Sequence, residues 1–75
     1  MNIAEAKLLS FVQALANHPK EVVVNRLKGN PDVFEIMIRK EDAAEVNSKL
    51  GIIEVIAGYT TGLLDAKVVV KVLEK

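Results

Sequence analysis

The chain has no cysteine, which removes disulfide stapling, cysteine-based zinc sites and thiol nucleophiles together. It also has no excess of either charge. Ten Lys and Arg stand against ten Asp and Glu, for a formal net charge of zero. That excludes a generalised basic surface but leaves room for a local patch. No long apolar run is present either: uncharged stretches such as Val55 to Leu64 reach only about half of the ~20 residues a membrane helix needs. The opening Met1-Asn2-Ile3-Ala4-Glu5-Ala6-Lys7 carries a carboxylate and no long apolar stretch behind it, unlike a secretory signal. None of GxxxxGK[ST], GxGxxG or HExxH occurs. The expectation is a cytoplasmic, bacterial-type soluble protein with no membrane partner.

What is present is the composition of an ordinary folded domain. Of 75 residues, 51% are hydrophobic and 27% charged, enough for one small core and no second module. With no disulfide to help, apolar packing must carry the stability.

Ile3 to Ala16 reads as an amphipathic helix, with Ala4, Leu8, Phe11, Val12 and Leu15 on one stripe. Asn2 and Glu5 have the spacing of a capping box. Asn17-His18-Pro19 stops the helix, since Pro19 disfavours helical geometry in His18. Glu21 to Leu27 is rich in β-branched residues and predicts a strand, and Lys28-Gly29-Asn30-Pro31-Asp32 predicts a five-residue turn. From Val33 to Arg39, Phe34, Ile36 and Ile38 face one way while Glu35 and Arg39 face the other, the pattern of a strand with one buried face. Glu41-Asp42 then opens a short helix carrying Ala43, Val46 and Leu50, with Gly51 suited to its exit. An apolar segment follows from Ile52 to about Thr61, and Lys67 to Leu73 closes the chain as a strand. The order is α-β-β-α-α-β. A two-helix crossover between the second and third strands predicts that they pair in parallel. The fold class is therefore α+β, with Val33–Arg39 central in a mixed three-stranded sheet and the three helices on one face.

That order, with a short glycine-containing link between its fourth and fifth elements, resembles a type II KH domain. The run Leu8 to Val22, with His18-Pro19-Lys20-Glu21-Val22 entering the first strand, resembles the opening of the small stand-alone bacterial KH proteins of the KhpA type. Glu41-Asp42 ahead of Val46 matches the run before that family's Gly-x-x-Gly loop. The resemblance implies a single KH-like domain over residues 1–75 and single-stranded RNA as partner, clamped by the loop backbone over about four nucleotides. It implies no cofactor. Carried over by position, the RNA contacts are Ser48, Lys49, Leu50, Gly51 and the following Ile52, with Ser48 in place of the first glycine.

Three departures make the expected RNA binding weak. Ser48 brings a side chain to a glycine position, where a left-handed backbone would cost about 1–2 kcal/mol. Leu50 is apolar in a loop that is usually polar. Ile52 stands where the family usually offers a cation, and no Lys or Arg occurs between Lys49 and Lys67. Meanwhile Ile52, Ile53, Val55, Ile56, Ala57 and Tyr59 crowd eight positions, more than one buried stripe requires. The alternative function is a KH-like domain that has lost RNA binding and works as a dimerisation or protein-interaction module. On that reading Ile53 and Ile56 are the expected outer residues, meeting a second copy or another protein.

The remaining polar residues read as structural. His18, the sole histidine, is a helix-exit residue without a nearby nucleophile in sequence. Glu41 and Glu45, with Asp42 beside them, have chelating spacing but fit a solvated helix start. Tyr59 reads as packing, and Gly58 and Gly62 as helix packing or a helix end. No catalytic residue and no metal site is assigned, and no enzymatic activity is expected.

Overall fold

Alternation along the central strand organises the molecule. In the computed structural model, which describes residues 3–62 and 66–73 without the side chains of 30–32, Phe34, Ile36 and Ile38 are all fully buried. Glu35, Met37 and Arg39 face the other way. Helix α1 spans Ile3–Leu15, β1 Val23–Leu27, β2 Asn30–Arg39, α2 Ala43–Ser48, α3 Leu50–Thr61 and β3 Lys67–Leu73. The sheet order is β1-β2-β3, with β1 antiparallel and β3 parallel to β2. This is the α-β-β-α-α-β order and the mixed three-stranded sheet expected from the sequence.

Among the described side chains, every buried strand residue lies on one side of the sheet, where Val24, Phe34, Ile36, Ile38 and Val68 meet Ala4, Leu8 and Val12 of α1, Val46 of α2, and Ile53 and Ala57 of α3. Phe11 and Leu15, on the margin of the α1 stripe, pack against that core while keeping some exposure. The helices cover only the first part of β3: Val68 is buried, Val70 is half-buried and Val72 is exposed. The opposite sheet face is left open, with a Glu35–Lys71 ion pair at 2.9 Å across it.

Two boundaries differ from expectation. The first strand starts at Val23 because Pro19–Glu21 form a single 3₁₀ turn, whose amides at Glu21 and Val22 donate to the carbonyls of His18 and Pro19. Proline suits a helical first position, with its fixed φ and missing N–H. The hairpin connection is also shorter than five residues. Lys28-Gly29 alone make the turn, Gly29 taking φ of 80°, and Leu27 already faces Asn30. Since Arg26 faces Phe34, residues 31–33 of β2 have no counterpart on β1. Pro31 thus falls in a bulge, where its missing N–H breaks no ladder. Arg26 places its guanidinium 5.0 Å from the centre of the Phe34 ring, a cation–π contact across the two strands. The capping box assigned to Asn2 lies outside the described residues.

Phe34→Ala should lower the free energy of unfolding by about 3–5 kcal/mol, a large share of what so small a domain holds. Chemical denaturation at neutral pH measures it.

Candidate nucleic-acid interface

The loop expected at Ser48-Lys49-Leu50-Gly51 is nearly closed up. Helix α2 ends at Ser48 and α3 begins at Leu50, leaving Lys49 alone between them. The Lys49 amide still donates to the Val46 carbonyl at 3.1 Å, and the Ile53 amide reaches the Lys49 carbonyl at 3.0 Å. Among the described residues no side-chain-bearing residue has a positive φ, so the strain expected at Ser48 does not arise. Its hydroxyl instead donates to the Glu45 carbonyl at 2.7 Å, satisfying one of the acceptors at the helix end. Gly51 is no helix exit: it sits in the first turn of α3, and a Cβ there would meet no atom within 4 Å. Its value is the open space above it. Leu50 turns inward against the core, which explains an apolar residue in this position.

The outward face of α3 is the one the sequence misplaced. Ile53 is fully buried and Ile56 packs half-buried on the core, so neither is an outer residue. Positions 53 and 57 share the inner face at i, i+4, and the outer stripe is instead Ile52, Val55 and Tyr59, at 53%, 70% and 88% exposure. Tyr59, expected as packing, is therefore the most exposed aromatic residue among those described. Apolar residues on both faces of the helix had erased the contrast from which its phase is read.

Beside this stripe runs a groove between α3 and β3. It has a volume of about 470 Å³ and is bordered by Gly51, Glu54, Val55, Gly58 and Tyr59 on the helix, and by Ala66 and Lys67 at the start of the strand. Gly51 and Gly58 are seven residues apart, two helical turns, so both lie along the same side of α3. With Ala66 they contribute nothing beyond a Cβ to the groove. Glu54 accepts the Val68 amide at 3.3 Å, tying α3 to the outer edge of β3. Among the described residues, the charges bordering the groove are this carboxylate and the Lys67 ammonium, with Lys49 at the start of the helix. The spacing Gly51, Val55, Gly58, Tyr59 was visible in the sequence, but only a known helix phase turns it into a groove.

A second polar arrangement holds the helices in place. Asp42, 1% exposed, accepts the amide of Asn17 at 2.9 Å through Oδ1 and that of His18 at 3.1 Å through Oδ2. The same Oδ2 lies 3.3 Å from His18 Nδ1. Burial pushes the Asp42 carboxyl up, yet the two main-chain donors and the His18 ring outweigh it and hold the group below its ordinary value of 3.8. The residue read as part of a solvated helix start is thus a buried clasp between the exit of α1 and the entry of α2. Around it, Arg39 bridges Glu21 at 2.9 Å and Glu41 at 3.0 Å. The Glu41 carboxyl is held low by its own backbone amide and by Arg39. Among the described residues no group of three or more His, Cys, Asp or Glu is placed to hold a metal ion.

The chain matches no protein-family model, no curated protein and no solved structure with which it was compared.

A carboxyl held below its unfolded value stabilises the fold above that value and loses the contribution as pH falls through the lowered one. Thermal melts should therefore be nearly flat in the weakly acidic range and fall steeply below the ordinary value of 3.8. Asp42→Ala should melt several degrees lower at neutral pH, with a shallower acid limb. Asp42→Asn, which keeps one acceptor oxygen, should fall between.

Proposed function

We propose that the chain is a KH-like domain that binds single-stranded RNA in the groove between α3 and β3, without enzymatic activity. The observation that carries this reading is the groove itself, lined by Gly51, Gly58 and Ala66 and flanked by an exposed tyrosine and a lysine. Small residues let a nucleic-acid strand approach the main chain, and the start of α3 favours an anionic group at its amides. Lys67 adds a point charge on the groove and Lys49 another just before α3. The resemblance of the α1 exit and of the Glu41-Asp42 run to the bacterial KH proteins supports the same reading.

Few cations make the binding weak and tolerant of sequence in its electrostatic part. With one or two phosphates neutralised, the logarithm of the affinity should fall with the logarithm of salt with a slope of about −0.7 to −1.4. Ile52 is half-exposed in the first turn of α3, and Ile52→Arg should tighten binding several-fold at low salt by adding one contact. Anisotropy of a labelled mixed-sequence RNA over a salt series tests both.

The exposed stripe Ile52–Val55–Tyr59 favours a second reading, an interface with another protein or a second copy. Sedimentation separates the two. A monomer that binds RNA supports the first. A protein that doubles in mass at high micromolar concentration, becomes monomeric on Val55→Lys and ignores RNA supports the second.

A further inference from the structure

Tyr59 is a large ring placed almost wholly in water, at 88% exposure, beside a groove whose nearest neighbours on the helix include Gly58 and Val55. Exposed aromatic rings next to a concave apolar surface present a flat π face and little conformational freedom, two features suited to stacking. Glu54 supplies the polar counterpart. Its carboxylate already holds the Val68 amide and has acceptor lone pairs only, so anything entering beside it must donate. The same charge turns phosphate away from Glu54 and towards Lys67 and the start of α3, at the margins of the groove. A strand is thereby oriented with its base inward and its backbone outward.

We propose that this groove takes one nucleobase, stacked on the Tyr59 ring with an amino-bearing edge towards Glu54. The proposal rests on the RNA reading above and adds a choice among bases. Adenine and cytosine present exocyclic amino donors to the carboxylate, whereas uracil presents carbonyl oxygens on either side of its single N–H. Adenine and cytosine are therefore accepted and uracil is disfavoured. Three small residues leave room for the ring system, and a volume of about 470 Å³ is within the range of small-molecule sites.

The chain has one tyrosine and no tryptophan, so the Tyr59 ring protons report stacking directly by nuclear magnetic resonance. The probes are short oligomers of adenosine, cytidine and uridine, with affinity measured independently by anisotropy. The expected result is an upfield shift of the Tyr59 ring protons with the adenosine and cytidine oligomers, and several-fold weaker binding of the uridine oligomer. Tyr59→Ala should weaken the adenosine oligomer by about 5- to 100-fold, while Tyr59→Phe stays near wild type. Glu54→Gln, whose amide oxygen still accepts the Val68 amide, should bring uridine and adenosine affinities together. RNA that binds with Tyr59 unshifted, and equally well to Tyr59→Ala, overturns the stacking and leaves the RNA reading standing. Equal affinity for uridine and adenosine in the wild type overturns the role of Glu54. If no oligomer binds, both the proposal and the RNA reading fall. Ring shifts that follow protein concentration alone, with a doubling of mass, place Tyr59 against a second copy and overturn the proposal.

Discussion

A sheet of only three strands can bury one face, and the parallel pairing of β2 with β3 determines what covers it. Parallel neighbours cannot be joined by a tight turn, so the chain must cross over the sheet between Arg39 and Lys67. It does so with two helices, of which α3 is the longer. The inner stripe of α3, Ile53 and Ala57, is consumed by the core under Phe34, Ile36 and Ile38. Among the described residues, no second layer covers its outer stripe. The groove and the exposed Ile52, Val55 and Tyr59 are the direct outcome of that geometry.

The crossover must also start in the right place, and here electrostatics acts where packing is thin. Asp42 joins the entry of α2 to the exit of α1 across 25 residues of sequence, using both carboxylate oxygens on main-chain amides. Hydrogen bonds to a charged acceptor are stronger than neutral ones, and leaving such a group buried and unpaired would be costly. The ring of His18 closes the arrangement, and Arg39, paired with Glu21 and Glu41, lies next to it. One end of the domain is thus organised by charge, and the α3–β3 end by small residues and an exposed ring. Glu54 links the two crossover elements at that second end through the Val68 amide.

The elements with a single strong period were legible in the sequence. Phe34, Ile36 and Ile38 announced a half-buried central strand, and Ala4, Leu8 and Val12 announced the inner face of α1. The element order then required the parallel pair. What could not be read was the phase of α3, because Ile52 and Ile53 differ in burial while being the same residue type. The hairpin was misjudged for a related reason: Gly29, Asn30, Pro31 and Asp32 are all turn formers, yet only Gly29 uses a left-handed backbone and Pro31 lies in a bulge. Asp42 was misjudged because a carboxylate at a helix start is usually solvated, and its partners lie far away in the chain. At the α2–α3 link, a loop template borrowed from the KH proteins put a left-handed residue at Ser48, where the two helices leave only Lys49 between them.

Single-stranded RNA is proposed to lie in the groove between α3 and β3. A map of backbone amide shifts on adding mixed single-stranded RNA to the intact protein tests it most directly. The perturbed amides should cluster at Gly51, Gly58, Ala66 and Lys67. Perturbation confined to the open sheet face at Val23, Asn25 and Val69, or none at saturating RNA, would contradict it.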